Sequence, residues 1–175
     1  TLSGGTLVLD NTSVSGLDRL GNAEPVTLAG GTLEFAHAAG ASDYSEKTGA
    51  LIVSAGSSAV VSARAADGQS SAMTFDSLVY TGGTIDFVGT NLGVDARNQI
   101  LFTTPPTLSG GQIGTWATVN GTNFATYGTY GITAYTPAYT DIAARGPGST
   151  IPDSADSHVR IVSDGVAGAI DLAGT

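Results

Sequence analysis

The sequence predicts an all-β chain wound as a right-handed parallel β-helix, with coils of roughly 26 residues. Three observations predict it. A Gly-Gly-Thr-apolar signature recurs at near-constant spacing. Each copy is followed by residues that alternate apolar and polar with a period of two. Thr, Ser and Gly are abundant, whereas the strong helix formers Lys and Glu are sparse. An antiparallel β-sandwich is the alternative, because short strands between turn residues suit it equally. It gives no reason for the fixed period.

The elements follow in order. Gly4-Gly5-Thr6-Leu7-Val8-Leu9 opens the first coil, with Leu7 and Leu9 on one face. Gly30-Gly31-Thr32-Leu33-Glu34-Phe35 repeats it one period on. Gly56-Ser57-Ser58-Ala59-Val60-Val61 is a degraded third copy, and Gly82-Gly83-Thr84-Ile85-Asp86-Phe87 restores the pattern. Gly110-Gly111-Gln112-Ile113 reads as a fifth start, and Gly168 to Leu172 as a last echo. The glycines are candidate turn positions, since they accept φ > 0 or close passage of a neighbouring chain. In this reading Leu7, Leu33, Ala59 and Ile85 stack as neighbours. Between the copies, Val26 to Leu28, Ala50 to Val53, Thr74 to Tyr80 and Gln99 to Phe102 supply second strands. Asp43 to Lys47 is the best candidate for a helical turn. Residues 114–140 form an aromatic, Gly/Thr-rich region in which Gly131 to Tyr135 reads as a strand. Residues 144–156, with Pro147 and Pro152, read as a loop or linker. Strands resume at His158 to Val162 and Ala169 to Leu172. The whole of 1–175 is read as one solenoid, because no composition shift marks a domain boundary. Coils about 4.8 Å apart would give a rod on the order of 30 Å.

Composition narrows function. Charged residues are 12% of the chain and the net charge is -9. Six scattered cations make no basic patch, which argues against nucleic acid and against an anionic membrane surface. With no cysteine there is no disulfide, thiolate nucleophile or thiolate-bound metal. No apolar run is long enough for a membrane-spanning helix, so no helical insertion is expected. The first residues are Thr1-Leu2-Ser3, with no initiator Met and no signal peptide, so the chain reads as a fragment or processed piece.

Catalytic constellations are thin. Glu34 and Asp86 take equivalent outward positions two coils apart, ~9.6 Å by strand spacing, with Val60 between them. That exceeds a retaining glycosidase pair and only reaches the edge for an inverting one, so a wet face is the plainer reading. A β-helical polysaccharide lyase or hydrolase would need clustered acids and a basic residue. Arg64 beside Asp67 and Asp95 beside Arg97 are local mixtures, and neither gathers several acids around a base. His37 and His158 are far apart in sequence, and His37 reads as a solvated residue at a strand end. No Gly-x-Ser-x-Gly elbow or phosphate loop occurs. No catalytic, cofactor-binding or metal residue is therefore assigned. Asp141, Asp153, Asp156 and Asp164 could hold incidental calcium. Trp116, Tyr127, Tyr130 and Tyr135, with Tyr139, read either as a glycan-stacking strip or as the cap of the last coils.

Several blocks resemble a known family. Gly5 through Asn11, then Asn22-Ala23-Glu24-Pro25-Val26-Thr27-Leu28-Ala29-Gly30-Gly31-Thr32-Leu33, is similar to the autotransporter-associated β-strand repeat. Gly89-Thr90-Asn91-Leu92-Gly93 and the string from Trp116 to Tyr127 also resemble chains of that family. The likeness spans roughly residues 1–135. It implies a β-helical passenger of a bacterial surface protein, secreted or displayed, and assigns no catalytic residue. The function expected is a non-catalytic stalk. Its partners would be the rest of a longer surface protein or copies of itself, and cell-surface glycans if it acts as an adhesin.

Overall fold

The computed structural model describes residues 1–13, 18–40, 42–137, 139–143, 150–151, 158–162 and 171–172. They fall into two compact units, Thr1–Tyr135 and Thr136–Thr175.

In the first unit the alternating segments form strands. The two middle circuits lay one strand in each of three sheets; among the described residues, the first lacks a strand in the third sheet and the last lacks one in the second. The longest sheet begins with β1 (Thr6–Asn11), β3 (Thr32–His37), β6 (Ser57–Ala63), β9 (Thr84–Val88) and β11 (Ala117–Val119), each parallel to the next. The second holds β2 (Val26–Ala29), β5 (Leu51–Ala55) and β8 (Leu78–Tyr80). The third holds β4 (Asp43–Thr48), β7 (Ser70–Phe75) and β10 (Asn98–Phe102). All these pairings are parallel, so the chain is a β-solenoid and the sandwich is excluded. Thr6 pairs with Thr32, Thr32 with Ala59 and Ser57 with Thr84, so the second and third steps are each one residue longer than the first.

The inward side chains stack coil over coil. Leu7, Leu33, Val60 and Phe87 form one column. Glu46, Met73 and Ile100 form another, and Thr48, Phe75 and Phe102 a third. Phe35, Phe75 and Phe87 are fully buried. Each such side chain contributes about 1.5–3 kcal/mol on leaving water.

Several local expectations are corrected. The column from Leu33 continues through Val60 and Phe87, whereas Ala59 pairs with Thr32 and Asp86. The third coil carries one more residue between its glycine and the strand. Gly56 sits against Gly30, so Ser57 and Ser58 fill the place of Gly31. Glu34 and Asp86 therefore do not share a row: Glu34 pairs with Val61, and Asp86 with Ala59. Asp43 to Lys47 is strand β4, not a helical turn. Tyr44, Glu46 and Thr48 alternate inward and pair with Ser71, Met73 and Phe75. Stacking on a ready ladder overrides the helical preference of Glu and Lys. The segment Thr74 to Tyr80 is two strands, β7 and β8, separated by a corner at Asp76-Ser77. Gly110-Gly111 starts no coil. Ser109 and Gln112 exchange backbone hydrogen bonds around it in a tight turn, and the next rung begins only at Ala117, opposite Ile85.

The candidate turn glycines Gly4, Gly5, Gly30, Gly56, Gly82, Gly83, Gly110 and Gly111 all have positive φ. Gly31 does not, but a Cβ there would lie 2.8 Å from Leu2 Cβ. Gly83 combines both demands: φ is +78°, and a Cβ would approach the Gly56 carbonyl oxygen to 2.6 Å.

Beyond β11 the long sheet reverses direction. β12 (Asn123–Gly128) and β13 (Gly131–Ala134) pair antiparallel, and β12 pairs antiparallel with β11. The Tyr127 hydroxyl accepts from Phe102 N at 2.9 Å and donates to Phe102 O at 3.1 Å. Ile132 is fully buried, and Gly131 passes so close to the Ile100 carbonyl that no side chain would fit. The hairpin thus covers the last coil, as an end cap must.

In the second unit, β14 (Thr140–Ala143) pairs parallel with β16 (Val159–Val162), and β15 (Thr150–Ile151) with β17 (Asp171–Leu172). Of the expected loop at 144–156, only Thr150 and Ile151 are described, as β15. The Gly168 echo, Asp153, Asp156 and Asp164 lie outside the described residues.

Candidate functional site

The most distinct exposed feature of the first unit is an aromatic corner. Tyr80 ends β8, and Trp116 precedes β11. Their rings stack with centroids 4.1 Å apart and planes within 9°. Tyr80 is 45% exposed. The Trp116 carbonyl accepts from Ile85 N, which fixes the indole relative to β9. Gly114 lets the ring lie on the backbone, since a Cβ there would collide with the indole Nε1. Tyr80 carries no distinguishing sequence signal, because its partner lies in a different stretch of the chain and outside the coil period.

The other aromatic candidates are placed separately. Tyr127 packs on Phe102, with centroids 6.0 Å apart. Tyr135 lies over Gly111. Tyr130 is exposed in the turn between β12 and β13. Tyr139, in the second unit, receives the Arg160 guanidinium over its ring.

A buried polar column runs where the long sheet meets the third sheet. His37 is 4% exposed, not solvated. It stands edge-on to Phe35 and stacks on Tyr44, each at 4.3 Å. It continues the inward series Leu33, Phe35, His37 of β3 and pairs with buried Asn11. His37 Nε2 is 2.8 Å from Ser71 Oγ, which is 2.8 Å from Ser62 Oγ. Ser62 donates to Asn98 Oδ1 at 2.6 Å, and Asn98 Nδ2 donates to the Thr90 carbonyl. With the Ser62 hydrogen committed to Asn98, Ser71 donates to Ser62 and accepts from His37 Nε2–H. Nδ1 then carries a bare lone pair, buried and without a hydrogen-bond donor. Burial lowers the His37 pKa, partly offset by the Ala36 carbonyl, which favours a proton. Nearby, Glu46 is buried and accepts from Arg19 N and Leu20 N, each at 2.8 Å, tying the first connection to β4.

Among the described residues the carboxylates do not converge into a cluster. The Asp86 carboxylate accepts from Thr118 Oγ1 at 2.8 Å and Gly121 N at 2.9 Å. Asp67 pairs with Arg64 at 3.2 Å. Hydrogen bonds from Arg97 hold Asp95 below its usual pKa, and bidentate bonds from Arg160 do the same for Asp141. A depression of about 350 Å³ on the outer face of β6 and β9 is lined by Arg64, Thr90 and Asn120 among others, with no carboxylate. Among the described residues, no three His, Cys, Asp or Glu side chains group as metal ligands. In comparisons with known proteins, no family model, curated protein or solved structure matches this chain.

Proposed function

We propose that the chain is a structural stalk or passenger segment of a bacterial surface protein, of the kind the autotransporter-associated repeat implies, and that it is not an enzyme. The observation that carries this reading is the unbroken parallel ladder from β1 to β11, closed by an antiparallel hairpin. Such a ladder pairs the backbone along the stack and resists local opening. Six Lys and Arg in 175 residues leave little for a trypsin-like protease. The net charge of -9 favours solubility. Its partners are then the flanking parts of a longer surface protein or further copies of the chain, outside the cell and without a required cofactor.

The test places the full chain between a cell-surface anchor and a reporter domain. The reporter is expected to stay displayed and the chain to survive trypsin under native conditions. In parallel, acidic and neutral polysaccharides are assayed for new reducing ends and unsaturated products. Turnover lost on Glu34→Gln or Asp86→Asn would overturn the non-catalytic reading. A second reading, carbohydrate adhesion, draws on the Tyr80–Trp116 stack and exposed Tyr130, since flat rings suit sugar faces. Glycan-array binding abolished by Trp116→Ala would favour it over a plain stalk.

A further inference from the structure

Asn120-Gly121 is the only Asn-Gly pair in the chain. It forms the turn from β11 into β12, and both residues are left-handed, with φ of +53° and +63°. Asn-Gly is the sequence most prone to intramolecular imide formation, because glycine puts no side chain in the way of its own nitrogen. Gly121 N, having lost its proton, attacks Asn120 Cγ. The new N–Cγ bond forms as the Cγ–Nδ2 bond breaks, and the nitrogen leaves as ammonia after taking up a proton. Water then opens the succinimide at either carbonyl, giving aspartate or isoaspartate.

The fold holds every group of this step away from it. The Asn120 carboxamide lies against the Gly89 peptide: Gly89 N donates to Oδ1 at 3.0 Å, and Nδ2 donates to Gly89 O at 3.2 Å. Asn120 N donates to Phe87 O at 3.1 Å. The attacking nitrogen is engaged as well, since Gly121 N–H donates to Asp86 Oδ1 at 2.9 Å. Thr118 Oγ1 donates to the same oxygen and steadies it. A carboxylate on that N–H opposes its loss of a proton, because the amidate would be a second negative charge beside the first. The products do not fit the closed site. An aspartate at 120 offers only acceptors to the Gly89 carbonyl, near the Asp86 charge. Isoaspartate lengthens the backbone within a tight turn.

We propose that Asn120 is a latent modification site, guarded by Asp86 and Gly89 while β9, β11 and β12 stay zipped and converted once that end opens. Conversion is one-way, so the residue records past opening of the capped end.

The test incubates the full chain in mildly alkaline buffer and follows Asn120 by peptide mass spectrometry, with isoaspartyl methyltransferase labelling as a second readout. The folded chain is expected to convert at least about tenfold more slowly than the same chain in urea, since reaction waits on local opening. Equal rates overturn the guard. Asp86→Asn keeps the shape and an acceptor but removes the charge; it is expected to convert faster than the parent while its circular dichroism is unchanged, and an unchanged rate removes Asp86 from the guard. Asn120→Asp, made directly, is expected to speed amide exchange at Gly89 and Gly121. Unaltered exchange there would overturn the link between conversion and opening.

Discussion

His37 shows how one residue sets the chemistry of a corner. Its neutral ring closes a directed run of hydrogen bonds through Ser71 and Ser62 to Asn98. A second proton at Nδ1 would place a charge among Phe35, Tyr44 and neutral polar groups. Because the folded pKa lies below the unfolded value near 6.5, the unfolded chain binds the extra proton first. The contribution is complete above pH ~6.5 and is lost progressively as pH falls below it. Urea midpoints measured from neutral to mildly acidic pH should therefore fall for the parent chain. They should fall less for His37→Gln, whose amide cannot charge. An equal slope in both would place the acid sensitivity elsewhere. The local sequence does carry the signal: His37 lies two residues beyond Phe35 and four beyond Leu33, so the period of two places it on the inward face. Its polar, ionisable ring is what suggests a solvated strand end, and only the hydrogen-bonding partners from other coils make the buried place tolerable.

Among the elements, the hairpin β12–β13 matters most, because it gives the last coil a partner that no further repeat supplies. Tyr127 is its anchor on the third sheet. Tyr127→Phe removes both hydrogen bonds to Phe102 and is expected to cost about 1–3 kcal/mol, since a part-buried N–H is left unmet. Hydrogen exchange should show the Phe102 amide losing protection before those of β3 and β6. Uniform loss across all coils would mean that the hydroxyl is not the local fastening. The strands were legible wherever alternation coincided with the glycine signature, as at Leu33/Phe35 and Ile85/Phe87. They were misread where composition and pattern disagreed. Asp43 to Lys47 reads as a helical turn by its Glu and Lys, yet Tyr44, Glu46 and Thr48 alternate with a period of two. The cap was legible only as an aromatic, glycine-rich region, because an antiparallel closure does not repeat the parallel period. The aromatic corner needs Tyr80 beside Trp116, and no spacing rule links them.

For the solenoid unit as a whole, the three sheets share one interior, so the columns rather than the individual strands bear its stability. Phe75 stacks on Phe102 at 5.7 Å and has no exposed surface. Phe75→Ala is expected to cost about 3–5 kcal/mol, the loss of transfer energy plus an unfilled cavity. Calorimetry should show one transition for Thr1–Tyr135 that moves down as a single peak. A split into two peaks would show that the coils unfold independently. The period read from the glycines was close but not uniform. It matches the step from Thr6 to Thr32, whereas those from Thr32 to Ala59 and from Ser57 to Thr84 are each one residue longer. In the step from Thr32 to Ala59 the extra residue follows Gly56, where a lone glycine replaces the pair.

The step from Ile85 to Ala117 is several residues longer than any before it in the long sheet, yet the two still pair in register. The surplus is absorbed outside the strands, between β10 and β11. Corner length is therefore decoupled from alignment, and chains of this design can drift in size by adding or trimming residues at corners. An odd insertion inside a strand, by contrast, would swap inside for outside along the rest of that strand.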